Sequence, residues 1–292
     1  EQFTFPDWPE SGYVYDGTAK EPAVVVWIDK EKTVQLPAEE YTVEYVNNVN
    51  AGNGAQVVIK STEYSKNCTI DYKKLFSISP ASTAIRLDIP ETAVYGEDIS
   101  LVAVLTGISE TDMPTGSVTF TVDQKEYTVD IVNGRAVLPV EKLSGIPAGD
   151  YAVTVSYPGE GNYAGAKAEG TLSVQKADPD VGTVTCANDV LYTSTSWKDV
   201  QLQMTGSAKG TLSLNETTLQ AGTESYTWTF VPKDTDNYNS VTGSIELTVQ
   251  AVTVDRIEVS GKLEQTEYVY GDTVDLAGVT VTAVYVNGDR KV

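Results

Sequence analysis

Ser117-Val118-Thr119-Phe120-Thr121-Val122 and Tyr127-Thr128-Val129-Asp130-Ile131 alternate apolar and more polar residues, and Ala136, Leu138 and Val140 continue the pattern. A period of two puts successive side chains on opposite faces, which marks an antiparallel strand with one face in a core. Between the second and third runs stands Asn133-Gly134. Both residues tolerate positive φ, as a tight type I′ hairpin turn requires. Ile99, Leu101, Ala103 and Leu105 supply a further strand upstream. No stretch of the chain sustains a 3.6-residue period. Short strands with turn signals roughly every 8–12 residues predict an all-β chain built of antiparallel β-sandwiches.

Working outward from this stretch, the chain repeats itself. An aliphatic residue followed by Tyr recurs at Tyr15, Tyr95, Tyr192 and Tyr270, at intervals of about one small domain. Ala-Gly pairs (Ala51-Gly52, Ala148-Gly149, Ala221-Gly222) each open an alternating strand, and Tyr64, Tyr163 and Tyr238 follow them. Each unit closes on one more strand: Phe76/Ile78, Leu172/Val174, and Ile245/Leu247/Val249. Self-similarity of this kind marks an array of domains. The expected units are residues 1–80, 81–176, 177–251 and a partial fourth, 252–292. The joints Ser77–Ser82, Gln175–Asp180 and Gln250–Asp255 are short, and two contain Pro, so the units are expected to line up end to end in an elongated array. In the fourth unit Asn287-Gly288 reads as a hairpin turn, and too few residues follow it for a full return strand. That unit is therefore expected to be incomplete, with the apolar strands around Ile257/Val259 and Val279–Tyr285 lacking sandwich partners. The chain also opens on Glu1 rather than Met, which reads as a piece of a larger product.

Composition narrows the function. Net charge is −21, with 20 basic and 41 acidic residues, a surface that repels phosphate backbones and anionic lipid. Neither nucleic acid nor membrane insertion is expected, and no run reaches the roughly 20 apolar residues of a membrane span. The two cysteines, Cys68 and Cys186, fall in different repeats, so the default is two buried, inert thiols. Asn67-Cys68-Thr69 and Asn215-Glu216-Thr217 match the glycosylation sequon, a short motif that arises by chance.

Several stretches resemble a known group. Tyr15–Val24, Tyr41-Thr42-Val43-Glu44-Tyr45 and Asn47–Gly52 are similar to bacterial surface repeats of the immunoglobulin-like (MBG-type) kind, as are Tyr226-Thr227-Trp228-Thr229-Phe230 and Asn237-Tyr238-Asn239. The second unit resembles the bacterial Ig-like domains of large adhesins. Ile257-Glu258-Val259, Tyr270-Gly271-Asp272, Leu276–Val279 and Val281–Tyr285 resemble the group-3 bacterial Ig-like type. The resemblance implies tandem Ig-like sandwiches in a secreted or cell-wall-attached bacterial protein. There such domains serve as stalks or spacers, and the family has no catalytic residues to place.

Nothing in the residues themselves argues for catalysis. The chain has no His, which removes Ser-His-Asp and Cys-His chemistry and the commonest zinc ligand. No phosphate-binding Gly-rich loop stands at a strand-to-helix junction. Tyr226, Trp228 and Phe230 alternate along one strand face and read as core. Trp27 lies opposite the apolar alternation Val24/Val26/Ile28, and Trp8 and Trp197 sit in polar surroundings. These three are the candidate contacts for a sugar ring or a protein partner, against a plainer reading as cover over sheet ends. Asp234-Thr235-Asp236-Asn237 is the candidate metal turn, with Asp234, Asp236 and Asn237 as oxygen donors for Ca²⁺. Asp178 and Asp180 at a joint are a second possibility. Ca²⁺ takes six to eight oxygens, about twice what one such turn supplies, so an Asx-turn is the competing reading. The expected function is a structural stalk that needs no cofactor. Its partners are the neighbouring domains of the same protein. The alternatives are an adhesin or carbohydrate-binding module, contacting an extracellular glycan or protein, and the accessory domains of a large extracellular glycan hydrolase.

Overall fold

The structure, a computed structural model, describes residues 2–66 and 68–292. Among them the chain forms 23 strands and three single 3-10 turns. It divides into two compact units, Glu1–Gln175 and Lys176–Val292.

The first unit holds two sandwiches. Residues up to Ser79 give β1 (Gln2–Thr4), β2 (Tyr13–Val14), β3 (Val25–Trp27), β4 (Tyr41–Val46), β5 (Gly52–Ser61) and β6 (Asp71–Ser79). β1 pairs with β3, and the facing sheet has the order β2-β6-β5-β4. Val26 from one sheet and Ala55, Val57, Ile59, Phe76 and Ile78 from the other are buried. The second sandwich runs through β7 (Ala84–Asp88), β8 (Ala93–Val94), β9 (Leu101–Thr106), β10 (Ser117–Val122), β11 (Lys125–Asp130), β12 (Arg135–Leu138), β13 (Gly149–Glu160) and β14 (Tyr163–Gln175). Its sheets are β12-β9-β7 and β11-β10-β13-β14-β8. The alternating residues do what the period requires: Leu101, Ala103 and Leu105 share one buried core with Val118, Phe120, Val153 and Val155. The Leu, Val and Phe side chains each contribute about 1.5–3 kcal/mol on burial, and Ala103 less.

Asn133-Gly134 does not join paired strands. Both residues have positive φ, 50° and 71°, and Val132 and Arg135 exchange backbone hydrogen bonds across them, so the tight turn forms. The flanking strands nevertheless part: β11 stays in the five-stranded sheet and β12 crosses to the three-stranded one. The hairpin of this region is β10–β11, which turns at Asp123-Gln124 with φ of 49° and 62°.

The second unit contains β15 (Val184–Cys186), β16 (Leu191–Tyr192), β17 (Leu202–Met204), β18 (Gly210–Leu214), β19 (Gly222–Pro232) and β20 (Val241–Gln250). Sheets β15-β17 and β16-β20-β19-β18 enclose a core of Leu191, Leu214, Tyr226, Trp228, Phe230, Leu247 and Val249. The remaining strands, β21 (Val254–Gly261), β22 (Val279–Tyr285) and β23 (Arg290–Lys291), form one three-stranded sheet. Asn287-Gly288 is its β22–β23 hairpin turn. Ile257, Val259 and Val281 on this sheet are 64%, 68% and 52% exposed.

The repeated residues acquire structural meaning. Gly52, Gly149 and Gly222 open β5, β13 and β19 with φ of 154°, 151° and 120°, a region that side chains with a Cβ rarely adopt. The short strands β2, β8 and β16 each pair in parallel with the closing strand of their own sandwich. Tyr15, Tyr95 and Thr193 then donate their backbone N–H to Ser79, Gln175 and Gln250. The third repeat is thus shifted by one residue: Tyr192 occupies the place of Val14 and Val94, not of Tyr15. Tyr270 lies outside any strand and is fully exposed. Tyr163 and Tyr238 accept the incoming linker as isolated parallel bridges to Ala81 and Ala177, whereas Tyr64 sits exposed in a turn.

Candidate functional site

The residues that converge in this fold do so where the first sandwich meets the second, inside the first unit. Three segments build the meeting point. Pairing of β2 with β6 carries Tyr15 to the end of the first sandwich, where it is buried. The turn after β9, closed by a Ser109–Asp112 bridge, presents Asp112. The β13–β14 hairpin presents Asn162 and Tyr163.

Asp112 is the hub. The Tyr15 hydroxyl donates to its Oδ2. The Tyr163 hydroxyl lies 2.9 Å from its Oδ1 and 2.5 Å from its backbone carbonyl, and accepts from the N–H of Ile108 at 3.1 Å. The two tyrosine rings meet edge to face, their centroids 6.1 Å apart. Gly107 is required here by space: a Cβ would stand 2.1 Å from the Asp112 carbonyl oxygen and 2.8 Å from the Tyr163 hydroxyl. The carboxylate beside it, followed by burial, holds the Tyr15 hydroxyl above the ordinary tyrosine pKa of 10.0. For Tyr163 burial is the larger cause and the Asp112 carboxylate adds to it.

A second contact lies beside the first. Ala51 donates its N–H to Asn162 Oδ1 at 2.8 Å, and Asn162 Nδ2 donates to Asn50 Oδ1 at 3.1 Å. The linker is bonded as well. Ala81 donates to the Asn162 carbonyl and accepts from the Ala164 N–H, both at 2.8 Å, and Thr83 Oγ1 donates to the Ala164 carbonyl at 2.6 Å. This arrangement can fix an angle between two bodies.

The candidate ligand contacts are Trp8, Trp27 and Trp197. Trp8 is half-buried among Phe5, Tyr13 and Phe76, with Lys74 Nζ 4.0 Å from its ring centre. Lys74 stands equally close to the Phe5 ring, so one ammonium caps both. Trp27 is half-buried and donates Nε1–H to Thr4 Oγ1 at 2.9 Å. Its neighbour Ile28 is exposed, because β3 ends at Trp27, so the apolar alternation stops at Val26. Trp197 opens the 3-10 turn Trp197–Asp199 in the second unit, with Lys198 Nζ 5.4 Å from its ring. Trp8 and Trp27 therefore belong to the first sandwich and Trp197 to the second unit.

Of the candidate metal residues, Asp234 and Asn237 bond to each other within the turn. Asp234 accepts from the Asn237 N–H at 3.2 Å and from Asn237 Nδ2 at 2.9 Å, and these bonds lower its pKa. Lys176 Nζ donates to the Thr235 carbonyl beside Asp236 at 2.6 Å. Asp178 accepts from Asn239, and Asp180 from both the N–H and the hydroxyl of Ser207. Among the described residues no three acidic or thiol side chains lie close enough together to hold a metal ion. Cys68 and Cys186 are free thiols, each half-buried. Asn67 lies outside the described residues, and the Asn215 amide is occupied by Thr227 and Thr229.

Tyr15 and Tyr163 stood out in the sequence by repetition, but Asp112 and Asn162 did not. For Asn162 a signal existed: Asn precedes Tyr163 as Asn237 precedes Tyr238. For Asp112 there was none, since it occurs once, in a turn.

Among curated proteins none matches the chain. Among solved structures, the marsupial T cell receptor aligns over 80% of this chain and 90% of its own, with 9% identity and a TM-score of 0.28. The full ectodomain (Ig1-Ig3) of mouse nectin-like molecule 4 aligns over 85% of this chain and 93% of its own, with 10% identity and a TM-score of 0.26. At these scores the fold rests on the strands described above. A family match falls on the second sandwich rather than on 252–292, whose residues carried the group-3 resemblance. Residues 87–175 match the model of the bacterial Ig-like domain (group 3).

Proposed function

We propose that this chain is a structural spacer from a secreted or surface-attached bacterial protein, one that holds other parts of that protein in place and does not act on a substrate. The observation that carries the reading is the joint inside the first unit. There the linker is bonded through its backbone and two side-chain contacts brace it. Such a joint keeps two sandwiches at a set angle, which a spacer needs and a free binding module does not. The family match agrees with this, since bacterial Ig-like domains are typically extracellular and non-catalytic. Among the described residues no helix is long and apolar enough to cross a membrane.

The competing reading is a carbohydrate-binding module contacting glycans through Trp8, Trp27 or Trp197. A glycan array probed with the full chain and with Trp27→Ala separates the two. The spacer reading expects no saturable binding by either protein. Saturable binding of a glycan class that is lost in Trp27→Ala would replace the spacer with the binding module.

A further inference from the structure

We infer that Asp112 locks the first sandwich onto the second, and that this one side chain, more than the linker, sets the stiffness of the joint. The linker is already reduced to a pivot. Upstream, β6 runs to Ser79, whose carbonyl accepts from Tyr15 N–H. Downstream, Ala81 is bonded through both its N–H and its carbonyl to the β13–β14 hairpin. Only Pro80 stands between two anchored residues. A pivot still permits swing, so the angle is set by contacts away from it.

Among the described residues such hydrogen bonds centre on Asn162 and on Asp112, and they differ in kind. Asn162 makes two bonds between neutral groups, to the Ala51 N–H and to Asn50 Oδ1. Tyr15 to Asp112 is a bond to a carboxylate, and charge-assisted bonds are about twice as strong as neutral ones. Asp112 also accepts from Tyr163, so one carboxylate holds a hydroxyl from each sandwich. The same two rings also pack edge to face across the joint, a geometry that aromatic pairs favour. Removing the carboxylate deprives Tyr15 of its acceptor, while Tyr163 keeps the Asp112 backbone carbonyl at 2.5 Å. This inference concerns coupling between sandwiches and stands whether or not the segment serves as a spacer.

Amide hydrogen exchange on the full chain tests it. The Ala51 N–H bonds across the joint, so its exchange reports joint opening. The Ile108 N–H bonds to Tyr163 within the second sandwich, so it reports the integrity of the Asp112 turn. Strand amides of β5 and β13 report the sandwiches themselves. Asp112→Ala is expected to speed exchange at Ala51 by roughly tenfold or more while β5 and β13 stay protected. Tyr15→Phe, which leaves the second sandwich untouched, is expected to speed Ala51 in the same way and to leave Ile108 unchanged. Unchanged exchange at Ala51 in Tyr15→Phe overturns the inference. So does loss of protection throughout the second sandwich in Asp112→Ala with Tyr15→Phe silent, because Asp112 would then serve only its own turn.

Discussion

Tyr15 and Tyr163 give the joint a dependence on alkaline pH whose sign follows from their surroundings. Both hydroxyls ionise above 10.0 in the folded chain. In the unfolded chain they ionise at the ordinary value, so as pH rises past 10 the unfolded state releases protons first. The stability they contribute is complete below pH 10 and is lost as pH climbs through the folded values. Tyr13, Tyr45, Tyr151 and Tyr157 are also raised, chiefly by burial, and add to the same loss. Thermal melts from pH 8 upward should therefore be flat to about pH 10 and fall beyond it. Tyr15→Phe should make that fall shallower; an identical profile would mean that Tyr15 is not held by Asp112. At this scale the sequence is legible where residues recur and opaque where they do not. Tyr15 and Asp112 are 97 positions apart, and no local pattern links a tyrosine after a strand to an aspartate in a distant turn.

Elements were the most legible level, because burial of one face imposes a period of two that side chains display directly. Tyr226, Trp228 and Phe230 are core, as their alternation required. The failures lie in connections. Asn133-Gly134 forms the turn its residues favour, yet local chemistry cannot say whether the chain then pairs back or changes sheet. Asp123-Gln124, the true hairpin, carries no glycine to announce it. The Ala-Gly pairs are a cleaner case. A Cβ at Gly222 would meet nothing within 4 Å, so what reserves the position is its φ of 120° alone. Gly222→Ala should destabilise the third sandwich by about 1–3 kcal/mol, read as a lower urea midpoint with unchanged slope. An unchanged midpoint would show that β19 can open without a left-handed residue. Gly107→Ala differs in mechanism, since its Cβ would strike the Asp112 carbonyl, and it should also speed exchange at Ala51.

For the molecule as a whole, the sequence reading expects three units and part of a fourth, and the structure divides into two compact units. Inside the first, the bonds of Asp112, Asn162 and Ala81 merge two sandwiches into one compact body. Inside the second, the sheet of β21, β22 and β23 touches the third sandwich through few bonds. Among the described residues these are Tyr192 to the Val286 carbonyl at 3.2 Å, Asn287 to Ser194 at 3.1 Å, and Val252 to Thr193 at 3.4 Å. With Ile257 and Val259 mostly exposed, that sheet buries little apolar surface. Deleting residues 252–292 should leave the melting of the remaining chain nearly unchanged, within a few degrees by calorimetry. A cooperative loss of all structure would show that the sheet is integral to the third sandwich.

In each of the three sandwiches the short early strand lies parallel to the closing one: β2 on β6, β8 on β14, β16 on β20. Tension applied at the two ends of a sandwich drags these neighbours past each other along their length, so their hydrogen bonds are loaded together in shear and do not open one at a time like a zipper. Resistance to pulling therefore resides in patches only two residues long. The chain can be firm under load while its overall thermodynamic stability stays ordinary.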